Sequence, residues 1–361
     1  MGAILATNLN LIGKLIYNVL FKWVATWASG SELFGTFAVT VIMFTLFLKL
    51  ATLPLDLWQK MVTRKNSKKM EIMKPELEKV KKQCGDNQQL YAQKQREVYK
   101  KYKYSMFGAC LPSLVTMAIF FTIFSGFNSA VRYHNSVIYD EMQTVYTTAY
   151  TTEINAQVAK YEDGVIPADK RTEAEAAGIK KAEEAVLAAY KPERFLHITN
   201  IFMPDSWKQP IPDASTYAGT GMGKLGIPDV DREEYNRVMK PIMEKYNFTE
   251  KGKNQWNGYL VLPVLTLLLS LLSSKLLAPA QQPSMPGQTE EQIKQQERTN
   301  KMMMLMMPLM MGIFSLFYSA AFTLYMFTNS LFTTAFNVTY NLIAKSIDKK
   351  QRDHYLSTTI K

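Results

Sequence analysis

Lys49 stands near the middle of Val39–Gln59, VTVIMFTLFLKLATLPLDLWQ, a run dominated by Val, Ile, Leu, Met and Phe. An ionised lysine at bilayer depth costs roughly 2.5–3.5 kcal/mol on insertion scales, so its presence calls for a compensating role or partner. Thr45, Lys49, Thr52 and Asp56 follow one another at spacings of four, three and four, which puts all four on one face of a helix. A cation flanked by hydroxyls can hold water and attract carboxylates. It could serve as an anchor for acidic segments, as a transporter counter-ion, or as a lysine snorkelling to an interface. Snorkelling is the poorer account, because Lys49 lies about ten residues from either end of its run.

Other apolar runs carry polar residues in register: Ser113 and Thr116; Thr266, Ser270 and Ser273; Thr328, Asn329, Thr333 and Asn337. Taken singly, such residues usually bond to their own backbone or to a neighbouring helix. Together with Lys49 they could furnish a hydrophilic groove inside a greasy bundle. A second constellation is purely basic: Lys68, Lys69, Lys81, Lys82, Lys100 and Lys101 lie in residues 59–104, which hold 14 Lys/Arg against 5 Asp/Glu. Such a segment stays cytoplasmic and could also dock anionic lipid or ribosomal RNA. Interleaved aromatics are too few for a module that reads nucleic-acid sequence.

Classical catalytic chemistry is not encoded. His134, His197 and His354 have no Cys or His partner at ligand spacing, so no metal or other cofactor is expected. Cys84 and Cys110 both lie outside the long loop, which implies no disulfide framework. Gly219-Thr220-Gly221-Met222-Gly223-Lys224 lacks the first glycine of a phosphate loop and the strand that should precede it. Asn247-Phe248-Thr249 matches a glycosylation sequon, which matters only in a glycosylating host. An enzyme is not expected.

The elements that must position these residues follow from segregation. Mean hydropathy is only −0.11, yet long apolar runs alternate with long charged ones across the 361 residues, as in a multi-span membrane protein. The expected fold is all-α, with five transmembrane helices, a cytoplasmic helical hairpin and a large extracytoplasmic insertion. Within residues 1–34, the stretch 8–28 reads as an amphipathic helix with Lys14 and Lys22 opposite an apolar face, suited to the interface. The first span occupies 35–58, the basic hairpin 59–104 with a turn at Cys84-Gly85-Asp86-Asn87, and the second span 105–128.

Residues 129–257 form an outer loop far longer than an ordinary connection, with 16 Lys/Arg against 19 Asp/Glu. Helices are expected there over 169–190 and 229–246, but not over 204–228. The third span is 258–278 and a polar cytoplasmic loop covers 279–301. Residues 302–345 are nearly uncharged and methionine-rich at their start. As one helix the stretch would reach roughly 65 Å, twice the hydrocarbon thickness, so it must reverse, most simply at Tyr318-Ser319-Ala320-Ala321. A basic tail, 346–361, completes a chain with its amino end outside and its carboxyl end in the cytoplasm.

Several of these stretches resemble the YidC/Oxa/Alb family of membrane protein insertases in its short, five-span bacterial form. Leu48-Lys49-Leu50-Ala51-Thr52-Leu53-Pro54-Leu55 is similar to the family's first core span, and Met73-Lys74-Pro75-Glu76-Leu77 to the start of its cytoplasmic hairpin. Phe107-Gly108-Ala109-Cys110-Leu111-Pro112 resembles the entry to the next span and is the most specific match. Phe195-Leu196 with Pro204-Asp205 resembles the short outer segment before the third span, and Met307-Pro308, Phe314-Ser315 and Leu324-Tyr325 the last pair.

The resemblance implies a groove open to cytoplasm and lipid, and nascent membrane proteins and the bilayer as partners. A ribosome and a Sec-type translocon are further candidates, and the cell membrane of a bacterium is the expected location. Three departures stand out. The family's groove residue is usually arginine rather than lysine, the tight outer turn lacks the usual Pro and Gly, and insertions at about 133–194 and 208–257 enlarge the outer loop. The rival readings are a secondary transporter or ion channel built on Lys49, and a membrane anchor for the outer domain.

Overall fold

A computed structural model describes residues 8–28, 33–85, 87–104, 106–162, 164–276 and 290–359. They are mostly helical, with isolated bridges such as Phe34 to Phe195 as the only extended pairing among the described residues. The elements are α1 (Leu11–Lys14), a π-helical stretch (Leu15–Phe21), α2 (Lys22–Ala25), α3 (Thr36–Cys84), α4 (Gln88–Lys101), α5 (Met106–Val158), α6 (Arg171–Ala189), α7 (Ala214–Ala218), α8 (Arg232–Asn247), α9 (Val261–Leu276), α10 (Glu290–Phe317) and α11 (Ala320–Thr359).

Two boundaries differ from expectation. The first span and the first hairpin helix are one 49-residue helix, α3, that carries Pro54 and Pro75 inside it. The helix that carries the expected second span likewise continues past Phe127 without a break to Val158, so that α5 supplies the first 30 residues of the stretch 129–257. Polarity changes along both helices while helix propensity does not, and a change of solvent alone does not terminate a helix. The polar residues 290–301 are also helical, as the opening turns of α10, and residues 346–359 continue α11. Among the described residues Thr36–Cys84 is long and apolar enough to cross a membrane, and Val261–Ser274 is a shorter apolar stretch.

The chain divides into two compact units. The first comprises Met1–Phe44, Thr122–Val264 and Ile313–Met326. Here the amino-terminal helix begins at the Asn10 cap, whose side chain accepts the Gly13 N–H at 2.8 Å. It lies against α5, where Asn10 N–H donates to Ser129 Oγ at 3.1 Å and a Cβ at Gly126 would collide with Ile12. Tyr17 packs edge-on to Tyr133, while Leu11, Val19, Trp23 and Trp27 stay exposed.

Another part of this unit is built on tyrosines. Tyr139 of α5, Tyr217 of α7 and Tyr235 of α8 meet with ring centroids 4.4–5.8 Å apart. Their hydroxyls are satisfied where buried: Tyr217 donates to Asn135 O at 3.0 Å and Tyr235 to Pro212 O at 2.9 Å. Desolvation pushes both phenols well above their ordinary range. The sequence marks the helices cleanly here: Asp231 accepts from Glu233 and Glu234 N–H to open α8, and Asp213 accepts from Thr216 N–H to open the short α7, which falls inside the stretch expected to lack helix.

One segment, Glu193–Asp205, closes three helix ends in the same unit. Glu193 Oε2 accepts the Phe37 N–H at 3.0 Å, in the first turn of α3. Asp205, fully buried, accepts from Leu260 N–H at 3.0 Å and Leu262 N–H at 2.8 Å, at the start of α9. The Met203 and Ile201 carbonyls accept from Ala320 and Ala321 N–H, the first residues of α11. Helix starts leave amide donors without partners, and a carboxylate there also complements the helix dipole. The segment is thus a cap shared by three helices.

Candidate functional site

The second unit comprises Thr45–Phe121, Leu265–Gly312 and Phe327–Lys361, and it contains every residue expected to line a groove. On α3, Thr45 is fully buried, and the Lys49 side chain is only 12% exposed. Its ammonium lies 3.6 Å from Asp56 Oδ2, seven residues on, so the 4-3-4 spacing delivers an ion pair along one helix face. The Asp56 side chain is 29% exposed and is the more open partner. Thr52 directs its hydroxyl to the Lys49 carbonyl at 3.4 Å.

On α9, Thr266 is buried, and Ser270 meets Ser330 of α11 hydroxyl to hydroxyl at 3.4 Å. On α11, Thr328 and Asn329 are half-buried and Asn337 is buried. Thr334 bonds back to the Ser330 carbonyl at 2.7 Å and Ser274 to the Ser270 carbonyl at 2.8 Å, the backbone-satisfied state that most such hydroxyls adopt. Thr333 Oγ1 and Asn337 Nδ2 differ, since both are buried without a hydrogen-bond partner among the described residues. A buried polar atom left unpaired costs about 1–3 kcal/mol, so the burial of these two is not offset by any described residue. The side chains of Ser113 and Thr116 lie outside the described residues.

Below the apolar stretch α3 runs beside α11: Lys60 lies 6.0 Å from the Tyr340 ring centroid and Arg64 donates to the Ala344 carbonyl at 3.5 Å. Gly312 of α10 approaches Leu267 of α9, where an added Cβ would stand 3.2 Å from its Cδ1.

The basic hairpin closes on a small core of Met73, Leu77, Val98 and Tyr99. Gly85, with φ +54°, ends α3 in the left-handed conformation that glycine favours, and Asn87 opens α4 by accepting the Leu90 N–H at 3.0 Å. Lys101 Nζ lies 2.7 Å from Glu76 Oε1, and Tyr102 donates to Glu76 Oε2 at 2.7 Å. Hydrogen bonds from Lys101 and Tyr102 hold the Glu76 carboxyl below its usual range, and the Glu76 carboxylate raises Lys101. Of the six hairpin lysines singled out in the sequence, Lys68, Lys82, Lys100 and Lys101 are exposed, while Lys69 donates to the Lys103 carbonyl at 2.7 Å and Lys81 is half-buried. No group of three or more potential metal ligands occurs among the described residues.

Residues 29–347 match the model of the family described as 60Kd inner membrane protein. The chain belongs to that family. Among its relatives are proteins named membrane protein insertase YidC. That of Fusobacterium nucleatum is 33% identical over 117 residues, 32% of this chain and 55% of that protein. That of Jannaschia sp. is 34% identical over 102 residues, 28% of this chain and 15% of that protein. That of Pseudomonas aeruginosa is 33% identical over 93 residues, 26% and 15%. The chain thus spans about half the length of the Fusobacterium relative and less than a fifth of the other two. No solved structure matches. Membership in a family of inner membrane proteins accords with a bacterial cell membrane location.

Sequence spacing marked Asp56 as sharing the lysine's face without making it part of the site. Two oppositely charged residues seven apart on an apolar helix are the signal that could have done so, since a charge in an apolar setting is retained where it is paired.

Proposed function

We propose that the chain is an insertase and chaperone that moves nascent membrane proteins into the bilayer of a bacterial cell. Family membership supports the class, and the observation that carries the reading to particular residues is Lys49, its side chain only 12% exposed in an apolar helix that also carries Thr45 and Thr52. In this reading the apolar parts of α3, α5, α9, α10 and α11 are five spans, with the amino end outside and the basic hairpin in the cytoplasm.

An incoming polar tail is drawn by Lys49 into a groove lined by Thr45, Thr52, Ser113, Thr116, Thr266, Ser270, Thr328, Asn329 and Asn337. These groups replace water along the tail, lowering the cost of drawing polar residues through hydrocarbon. The apolar segment behind it then passes along α9 and α11 into lipid, a downhill transfer that needs no nucleotide. The exposed lysines of the hairpin offer a surface for a ribosome, and a Sec-type translocon is a further candidate partner.

The test is complementation of an insertase-depleted bacterium, together with insertion of a single-span, acidic-tailed substrate into proteoliposomes. Lys49→Leu and Lys49→Glu should abolish insertion and Lys49→Arg should retain part of it. Full activity in Lys49→Leu would leave the proposal without its central group.

A further inference from the structure

The first unit contains a cavity of about 300 Å³ that the insertase reading does not use. Its walls come from four places: Phe124, Asn128 and Arg132 on α5, the segment from Phe202 to Pro204, the glycine-rich stretch from Gly221 to Leu225, and the Phe317–Ser319 turn between α10 and α11. No lining residue is acidic, whereas Arg132 and Lys224 both contribute. A third cation stands beneath the loop, where Lys208 Nζ donates to the Gly223 carbonyl at 3.3 Å.

The loop is built around these cations. Gly221, Gly223 and Gly226 all have positive φ, and a Cβ at Gly223 would collide with the Lys208 ammonium. Gly226 lets the Arg132 guanidinium lie close, 3.3 Å from where its own Cβ would be. The nearby acid is Asp213, whose carboxylate is already engaged by the Thr216 N–H at 2.7 Å and the Ser215 hydroxyl at 3.0 Å. Two cations therefore face an open volume whose walls bring no carboxylate, and a third braces the loop that forms one of those walls.

Position narrows the ligand. Phe317 ends the apolar length of α10, Ala320 starts that of α11, and Phe124 belongs to the apolar part of α5. The cavity thus lies where apolar helices give way to polar chain, with Met222 exposed at its edge and the exposed Trp207 next in sequence to Lys208. Cations beside exposed apolar groups at such a boundary match a phosphate attached to acyl chains better than they match a free ion. Arginine engages phosphate oxygens in pairs and lysine adds a compact charge.

We propose that this cavity binds the phosphodiester of an anionic phospholipid, with Arg132 and Lys224 as its direct ligands and Lys208 holding the loop. The site uses none of the residues of the Lys49 face, and it requires only that the apolar helices lie in a bilayer.

The test uses the full chain in neutral detergent, with short-chain phosphatidylglycerol, short-chain phosphatidylcholine and inorganic phosphate as separate probes in titration calorimetry. Phosphatidylglycerol should bind saturably, should weaken in high salt, and should exceed phosphatidylcholine by about tenfold, the worth of one charge-assisted hydrogen bond. The double variant Arg132→Gln/Lys224→Gln should lose about the same factor while melting with the wild type, and Arg132→Lys/Lys224→Arg should keep most of it. Equal binding of the two lipids, undiminished phosphatidylglycerol binding in the glutamine variant, or inorganic phosphate binding as tightly as phosphatidylglycerol would each overturn the proposal. If the glutamine variant melts early, loss of phosphatidylglycerol preference in Lys224→Gln alone decides the matter.

Discussion

Removing the counter-ion of Lys49 should make the protein more attractive to acidic tails. The ammonium and the Asp56 carboxylate stand 3.6 Å apart, which at an effective dielectric of about 20 corresponds to roughly 4–5 kcal/mol of mutual attraction. Asp56 is 29% exposed, so water screens the pair and much of that attraction is returned as hydration when the two separate, leaving about 1–2 kcal/mol net. An acidic residue arriving at Lys49 has to displace Asp56 and overcome that amount. In Asp56→Asn it does not, and the equilibrium for tail entry should improve by about 5- to 30-fold.

The assay is insertion into proteoliposomes of two single-span substrates that differ only in whether the translocated tail carries aspartates or asparagines. Asp56→Asn should raise the initial rate for the acidic tail and leave the neutral tail nearly unchanged, so the ratio of the two rises. Adding Lys49→Leu should erase the difference. An unchanged or smaller ratio in a variant that melts with the wild type would refute the idea that Asp56 competes with the tail.

Asp205→Asn should destabilise the first unit by about 2–4 kcal/mol, because one carboxylate oxygen becomes an NH₂ facing the Leu260 or Leu262 amide in a fully buried site; thermal unfolding in detergent checks this, with Asp205→Ala only slightly worse. Asn337→Leu removes a buried, unpartnered amide, so melting should hold or rise by up to about 1 kcal/mol while acidic-tail insertion falls, a split that a merely structural role would not produce. Gly126→Val should dislodge the amino-terminal helix through Ile12 and speed proteolysis between Asn8 and Ala28.

In the hairpin, the depressed Glu76 carboxyl contributes stability above its ordinary value near 4.5 and loses it as pH falls through the lower folded value. The raised Lys101 contributes below 10.5 and loses it as pH rises through the higher folded value. Protection factors of the α4 amides, which remove the base-catalysed intrinsic rate, should therefore be greatest between those limits, and Glu76→Gln should lower them at neutral pH.

Much of the helical content was legible because the physical signals were local. The 4-3-4 spacing around Lys49 put its partner Asp56 on the same face, Gly85 and Asn87 marked the hairpin turn, and the length of the apolar stretch after residue 302 required the break that falls at Tyr318–Ser319. What was illegible depended on partners distant in sequence. Phe195-Leu196 and Pro204-Asp205 could be matched to a family without any reason for their presence. That reason is visible only once Glu193, Ile201, Met203 and Asp205 are seen meeting the amides of α3, α9 and α11. The continuity of α3 and α5 was missed for the opposite reason, since hydropathy locates the edge of a solvent and says nothing about where a backbone stops hydrogen bonding to itself.

Pro54 lies between Lys49 and Asp56 on α3 and has no N–H to offer the Leu50 carbonyl, so one rung of the helix is missing within a turn of the ammonium. Bending there sacrifices no hydrogen bond that the chain had made, and such points are where long helices kink. The same helix continues, past a second missing rung at Pro75, down to Glu76 and the Lys101 clasp. A load placed on the basic end would bend the helix at its two proline gaps, and the share of that bend taken up at Pro54 would change the distance between the two charges as it swings. The spacing of one ion pair would then register whether the far end of the rod is occupied.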